Sequence, residues 1–365
     1  MSKNETLLQA KIKDDSNRLV SYDLLRIIAC FAVIVLHVAA KNWYDQPPAS
    51  YQWQVFNFYD SVMRFCVPVM IMISGTFFLN PDKEISIKKL LFKYILRLLA
   101  AYIFWSLLYA IKLFVDTGAA LNWSGIKSIV LNIIYSRYHL WFLPMLIGLY
   151  LITPVVRLMT KDENSWQIRY FLILFFIFGL FRPTILAFDL PYYAHITHLV
   201  KTIPVELAGG YVGYFVWGYY LFRNEITKKV TMIIYILGIL SIISCILVSS
   251  YFSIRAGEPK GTLYAYLTVT TFFVSSAIFL FFKYIVSQWL WPVRLKKIIY
   301  SVSVSTFGVY LIHDFFLQIF GSWGLDSLTF NSILSVPIIA LATFVVSFVV
   351  VLVIRKIPFI NKYMT

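Results

Sequence analysis

Ten apolar runs, each long enough to cross a bilayer, recur along this sequence of 365 residues. A membrane-spanning α-helix needs about 20 predominantly apolar residues. The composition is 60% hydrophobic and 13% charged, which no soluble globular domain of this length shares. The sequence therefore predicts an all-α polytopic membrane protein of about ten transmembrane helices. The predicted limits of the runs are 22–40, 61–80, 96–115, 139–158, 170–188, 205–222, 230–250, 263–282, 301–320 and 333–354.

The lysines and arginines between these runs predict how the chain is oriented. If the N-terminus is inside, 23 of the 32 cations fall at the cytoplasmic ends and nine at the outer ends. Membrane proteins concentrate lysine and arginine on the cytoplasmic side, so both termini are predicted to be cytoplasmic. The net charge of +15 then reflects topology in a lipid bilayer, and nucleic acid is excluded as a partner.

The same pattern predicts the organisation of the chain, with one membrane domain between two short tails. The predicted parts are a cytoplasmic N-terminal tail at 1–21, a ten-helix membrane domain at 22–354 and a cytoplasmic C-terminal tail at 355–365.

The first run carries two ionisable residues, Arg26 and His37, in a segment otherwise suited to lipid. Eleven residues are close to three α-helical turns, so both should lie on one face, about 16 Å apart. Ionisable groups inside a membrane are costly and mark functional sites by default. An imidazole can take a proton from a hydroxyl and return it to a leaving group. The alternative is a histidine at the outer interface that hydrogen-bonds a neighbouring helix, and Asp23 is a structural ion-pair partner for Arg26.

A second group of cations leads into the third run. Lys89, Lys93 and Arg97 are spaced four residues apart and would form one stripe on an α-helix. Lys93 and Arg97 suit a polyanion such as the phosphates of a nucleotide-like donor. The alternative is ordinary enrichment of cations at a cytoplasmic helix end, with the longer side chains reaching back to the interface.

Two further histidines fall within apolar runs. His139 opens the fourth run, where an aromatic interface belt is the alternative to a substrate site. His313 lies deep in the ninth run, and its neighbour Asp314 should point about 100° away on a helix. His195 and His198 are too weak a pattern for a metal site without further ligands, so no metal is predicted.

Four motifs together carry a resemblance to a known family. They are DLLRIIACFAVIVLH in the first run, VPVMIMISGTFFL in the second, YHLWFL at the fourth and STFGVYLIH in the ninth. In this order the chain resembles the integral-membrane acyltransferase-3 family. Within it, the chain looks most like the surface-polysaccharide O-acyltransferases, of which the enterobacterial common antigen O-acetyltransferase is one type.

The resemblance implies a membrane O-acyltransferase in the bacterial cytoplasmic (inner) membrane. Such an enzyme moves an acyl group, usually acetyl, from cytoplasmic acyl-CoA to a hydroxyl of a cell-surface or lipid-linked polysaccharide. Arg26 and His37 match the family's arginine–histidine pair, with His37 as the catalytic residue. Lys93 and Arg97 match an arginine cluster that binds the acyl donor, and the cluster is thinner here. His139 and His313 match positions that carry histidine in relatives, as substrate-site candidates without assigned roles.

No bound cofactor is expected, because acetyl-CoA serves as a substrate and its thioester is already activated. A transporter or flippase for a lipid-linked glycan is the competing function, although the two halves of the chain show no inverted repeat. The sequence leaves open acetyl or succinyl, the acceptor sugar, the oligomeric state and the membrane face that hosts transfer. It also leaves open direct transfer or an acyl-histidine intermediate.

Overall fold

The computed structural model describes residues 3–118, 120, 122–160, 166–188 and 209–358, with side chains from residue 20 onward. All regular structure in these stretches is helical. The α-helices are α1 Lys3–Ala40, α2 Tyr51–Met63, α3 Cys66–Phe78, α4 Ile87–Lys89, α5 Leu96–Asp116, α6 Trp123–Tyr135, α7 Phe142–Val156, α8 Trp166–Leu174, α9 Arg182–Leu186, α10 Val212–Arg223, α11 Lys228–Ala256, α12 Val269–Tyr284, α13 Val293–Ser303, α14 Thr306–Ser322 and α15 Ser332–Ile354. Leu90–Ile95 and Phe175–Phe181 are π-helical, and Tyr138–Trp141 and Val286–Gln288 are 3₁₀-helical.

Within the described residues, eight helical stretches are long and apolar enough to cross a membrane, and the bent pair α13–α14 makes a ninth. This confirms the predicted all-α polytopic membrane class. The sixth predicted run, 205–222, begins outside the described residues, and α10 is its described part. His195, His198 and the end of the C-terminal tail also lie outside them. The eight stretches are Val20–Ala40, Tyr51–Phe78, Ile87–Asp116, Tyr138–Val156, Trp166–Leu186, Lys228–Ala256, Val269–Gln288 and Ser332–Ile354.

Three predictions about the spans are wrong: the start of the second, the start of the third, which is Ile87 rather than residue 96, and the straightness of the ninth. The second span begins at Tyr51 rather than at residue 61, because the Ser50 side chain accepts a hydrogen bond from the Trp53 amide at 3.2 Å. A serine in this position satisfies an otherwise unpaired amide and starts a helix. The ninth run is not straight, since α13 and α14 meet at 58°.

The closest helix packing joins α3 and α10, where two glycines allow the backbones to approach. A Cβ atom on Gly75 would lie 1.9 Å from the Phe215 carbonyl oxygen, and one on Gly218 would lie 2.3 Å from the Met72 Cα. Small residues at helix interfaces are the usual way that transmembrane helices reach close contact. This packing holds α3 firmly beside the first span.

Helix α1 lies at the centre of the bundle and contacts α2, α3, α12, α13, α14 and α15. Leu25, Ala29 and Ile34 on this helix are fully buried. Its ionisable residues therefore face protein rather than lipid, as polar groups at membrane depth do when they are functional.

Residues from connections that the sequence assigns to the same side of the membrane lie together at the same end of the bundle. Lys41, Arg137 and Asp326, from three connections predicted to be outer, meet at one end. Arg26 and Arg97 meet toward the other end. That this second end faces the cytoplasm stays a prediction from the charge distribution.

Candidate functional site

An inner cavity of about 350 Å³ brings together two of the arginines that the sequence singles out. Arg26 comes from α1 and Arg97 from the first turn of α5. The guanidinium carbon of Arg97 lies 5.4 Å from the centre of the Phe307 ring. The other lining side chains are mainly apolar or aromatic: Met70, Ile73, Ser74, Phe77, Phe78, Tyr94, Leu98, Phe142, Leu146, Tyr150, Thr306, Phe307 and Tyr310.

Arg26 is held in place by the partner that its spacing predicts. Its Nη1 lies 3.2 Å from Asp23 Oδ1, one helical turn earlier. It also donates to Ser303 Oγ at 3.1 Å, and that hydroxyl donates to Asp23 at 2.6 Å. This triangle fixes the guanidinium at the cavity wall and neutralises part of its charge.

Lys93 does not line the inner cavity, although it is four residues from Arg97. Its Nζ lies 5.8 Å from the centre of the Tyr94 ring. The stripe expected from four-residue spacing assumes an α-helix, but Leu90–Ile95 is π-helical. A π-helix bonds each residue to the fifth along and turns its side chains out of α-helical register. Of the two residues that α-helical periodicity placed on one stripe, only Arg97 therefore lines the inner cavity.

Three histidines gather beyond the inner cavity, and two of them, His37 and His139, line a separate narrow space. The ring centres of His37 and His313 are 5.3 Å apart, with planes inclined by 18°. His139 lies 5.0 Å from His313 and 6.4 Å from His37. His37 lies on α1, His139 in the 3₁₀ turn before α7, and His313 on α14. The sequence offered each of them as a separate candidate, and the fold brings the three together.

The hydrogen bonds of His313 define its tautomer. Its Nδ1 lies 2.5 Å from the Tyr310 carbonyl oxygen, which can only accept. Nδ1 therefore carries the proton and Nε2 keeps a lone pair, since one nitrogen of a neutral imidazole donates and the other accepts. That Nε2 is buried and has no hydrogen-bond partner in the described part of the chain. His313 is thus a proton acceptor set beside His37.

The imidazole of His37 is partly exposed and makes no hydrogen bond with described residues. The alternative of a histidine bonded to a neighbouring helix therefore does not describe it. Its edge meets the ring of Tyr138, with centres 5.0 Å apart. His37 is held by packing, and its nitrogens are available to a substrate.

An outer pocket of about 290 Å³ opens next to His37. Its centre is Asp314, which accepts hydrogen bonds from Arg137 Nε at 2.7 Å, Tyr138 OH at 2.8 Å and Gln318 Nε2 at 2.7 Å. At the rim, Lys41 lies 3.7 Å from Asp326.

Sequence reasoning missed Arg137 and Gln318 as pocket residues. Arg137 was counted only as an outer cation, and its signal was the position two residues before His139. Burial lowers the pKa of Arg137, but the Asp314 carboxylate, together with the Tyr138 and Tyr109 side chains, raises it, and the net direction is upward. Arg137 stays charged and its pair with Asp314 is a fixed feature of the pocket.

A narrow space of about 20 Å³ lies between the inner cavity and the outer pocket. Met70, Phe142 and Tyr310 line both this space and the inner cavity. His37 lines both this space and the outer pocket. The three spaces therefore follow one another along α1, and His37 stands where the narrow space meets the outer pocket.

This arrangement has side chains that can accept and donate protons at the point between the inner cavity and the outer pocket. Among the described residues no group of three or more histidine, cysteine or acidic side chains is arranged to hold a metal ion. The imidazoles can accept protons. The arginines of the inner cavity suit an anion, and the outer pocket contains polar groups that are already paired with one another.

Comparison with known protein families supplies one result. The family model described as an acyltransferase domain matches residues 19–352. Comparison with curated proteins and with solved structures finds no significant match. The matched stretch contains the inner cavity, all three clustered histidines and the outer pocket. The chain therefore belongs to the integral-membrane acyltransferase-3 family and is a membrane acyltransferase.

Proposed function

We propose that this enzyme transfers an acetyl group from cytoplasmic acetyl-CoA to a hydroxyl of a cell-surface or lipid-linked polysaccharide. Transfer takes place on the outer side of the bacterial cytoplasmic membrane. The observation that carries this proposal is the line of three spaces along α1, with Arg26 and Arg97 at one end and His37 at the other.

The inner cavity suits the donor. Coenzyme A carries phosphate groups at one end and a long thin arm that ends in the thioester. The guanidinium groups of Arg26 and Arg97 bind phosphates by charge-assisted hydrogen bonds. The arm then runs between Met70, Phe142 and Tyr310, whose side chains offer contacts to a chain of methylene and amide groups.

The outer pocket suits the acceptor. Asp314, Arg137 and Gln318 offer both hydrogen-bond acceptors and donors, which matches the hydroxyls of a sugar. Both carboxylates of the pocket already have a cationic partner, so the pocket favours a neutral sugar over a charged one. A hydroxyl in this pocket lies next to His37.

The reaction needs one base that reaches both substrates, and His37 has that position. His37 takes the proton of the acceptor hydroxyl, and the oxygen attacks the thioester carbonyl carbon. The tetrahedral intermediate collapses, the carbon–sulfur bond breaks, and the proton passes from His37 to the departing thiolate. Asp314, on the same pocket wall, favours the positive charge that the histidines carry during the reaction. An acyl-histidine route would use the same contacts, with the His37 nitrogen as first acceptor.

The narrow space beside His37 supports acetyl over succinyl as the transferred group. It holds about 20 Å³, and Val33, Leu36 and Val67 are among its lining residues. A succinyl group would bring a carboxylate into this apolar space, and burying an unpaired charge is costly.

The test uses purified protein in liposomes, with labelled acetyl-CoA on one side and glycan acceptor on the other. We expect His37→Ala to lower label transfer by about 100- to 10,000-fold, the range for loss of a general base. The control is Tyr44→Ala on the outer side, because Tyr44 is 80% exposed and lines none of the three spaces.

Two outcomes would contradict the proposal. Undiminished transfer by His37→Ala would remove that residue from the chemistry. Glycan movement across the bilayer without consumption of acetyl-CoA would instead favour the transporter function.

A further inference from the structure

The segment 303–307, where α13 bends into α14, contacts an arginine at every second residue. Ser303 Oγ accepts from Arg26 Nη1 at 3.1 Å, and Ser305 Oγ accepts from Arg355 Nη1 at 2.8 Å. Phe307 lies under the guanidinium of Arg97, at 5.4 Å. The three arginines come from α1, α5 and the residue after α15, so one short segment gathers cations from three distant parts of the chain.

Of these three arginines, Arg355 is the one that neither the family match nor the sequence pattern identifies as a site residue. It lies outside the residues that the family model matches, and the sequence shows it only as one more inner cation. Ser305 is buried, and its hydroxyl donates to the Ser301 carbonyl oxygen at 2.9 Å. With its proton engaged, the hydroxyl turns a lone pair toward Arg355. The guanidinium is thus held in a set position beside Ser305, the residue before the cavity-lining Thr306.

The positive charges at and beside the inner cavity favour the binding of an anion. Arg355 and Arg97 are near enough to repel each other, and like charges are brought together at a cost that a bound anion offsets. Asp23 already neutralises part of the charge of Arg26. The positive charge of two arginines is therefore small compared with the negative charge of a donor that carries three phosphate groups. A third cation compensates more of that negative charge.

We propose that Arg355 binds the 3′-phosphate of the acyl-CoA donor, with Ser305 as its positioning residue. This inference rests on the proposed function. Arg26 and Arg97 line the cavity itself, whereas Arg355 binds Ser305, the residue before the cavity-lining Thr306 and Phe307. The 3′-phosphate is the phosphate group on the adenosine end of coenzyme A, farthest from the thioester. The arginine beside the cavity lining thus meets the phosphate that is farthest from the reacting group.

Arg157 is the competing inner cation, and its contacts indicate a structural role. Its Nη1 donates to the Phe78 carbonyl oxygen at 3.2 Å and its Nη2 to the Lys83 carbonyl oxygen at 2.7 Å. These bonds satisfy backbone carbonyls at and beyond the end of α3, which otherwise lack partners. Both ends of this guanidinium are therefore already engaged.

The test compares acetyl-CoA with acetyl-3′-dephospho-CoA, which lacks only the phosphate in question. We expect the native protein in liposomes to have a KM about tenfold lower for acetyl-CoA, the effect of one charge-assisted contact. Arg355→Gln should raise the KM for acetyl-CoA by a similar factor, leave kcat nearly unchanged and abolish the preference. Ser305→Ala should weaken the preference in part, and Arg355→Lys should restore part of it.

The matched control is Lys356→Gln, which removes one positive charge at the adjacent, exposed position. It should keep the full preference for acetyl-CoA. A preference that persists in Arg355→Gln, or that is lost equally in Lys356→Gln, would overturn the assignment of Arg355. If Arg355→Gln does not fold, Ser305→Ala decides, because an unchanged preference there overturns the assignment as well. Failure of the native protein to consume either donor would instead overturn the proposed function.

Discussion

The inner cavity and the outer pocket lie on either side of the narrow space that His37 lines, and they arrange their charges differently. The described side chains that line the inner cavity include two arginines and no carboxylate. In the outer pocket both cations have a carboxylate partner, Arg137 with Asp314 and Lys41 with Asp326. An excess of positive charge suits an anionic ligand, whereas paired charges suit a neutral ligand rich in hydroxyls. One central helix thus borders two spaces whose charges are arranged in opposite ways.

The largest effect should come from closing the path between the two regions. Met70 lines both the narrow space and the inner cavity, so Met70→Trp should fill the passage with an indole. We expect acetyl transfer to fall by at least about 100-fold, the cost of displacing a reacting group by about 1 Å. Binding of coenzyme A, measured by calorimetry, should change far less, because the arginines are untouched.

The control for this variant is Met232→Trp on α11, where Met232 is 59% exposed. It should leave transfer unchanged. Normal transfer by Met70→Trp would show that the acyl group does not pass between the two spaces at this point.

A smaller effect should follow from removing the carboxylate at the centre of the outer pocket. Asp314 accepts from Arg137, Tyr138 and Gln318, and Asp314→Asn can satisfy fewer of these donors. A hydrogen bond to a charged group contributes about 1.5–3 kcal/mol, so kcat/KM for the acceptor should fall roughly 10- to 100-fold. The KM for acetyl-CoA should stay near its native value.

Asp326→Asn is the comparison at the pocket rim, where the ion pair with Lys41 spans 3.7 Å. We expect a change of less than about threefold, because partly exposed ion pairs contribute little. An equal loss in both variants would mean that Asp314 has no special role beside the histidines.

The smallest effect should come from removing one cation of the third span at a time, and it should differ between Arg97 and Lys93. Arg97→Gln should raise the KM for acetyl-CoA about tenfold and leave kcat nearly unchanged, because it removes one charge-assisted contact with the donor. Lys93→Gln, four residues away but outside the cavity lining, should change the KM by less than about twofold. Steady-state kinetics in liposomes measures both. The reverse order would return donor binding to Lys93 and contradict the cavity assignment.

Features that depend on local spacing could be predicted from the sequence. The apolar runs predicted the membrane class because their length matches the bilayer. Arg26 and His37 share the side of α1 along which the three spaces run, since eleven residues complete three helical turns. The expected stripe with Lys93 rests on the same period, which the π-helical segment Leu90–Ile95 interrupts, and Lys93 does not line the inner cavity.

Features that depend on which helices meet needed the tertiary structure. His37, His139 and His313 come together only because α1, α7 and α14 pack around one point. The Arg137–Asp314 pair and the hydrogen bond from Arg355 to Ser305 are likewise contacts between distant parts of the chain. Helical periodicity tells which side chains share a face, but not which face of another helix they meet. By itself the sequence determined a polytopic helical protein with a charged first span, because hydropathy and periodicity act within one helix. The tertiary structure decided the histidine cluster, the inner cavity and the outer pocket, because helix packing selects which distant faces are in contact.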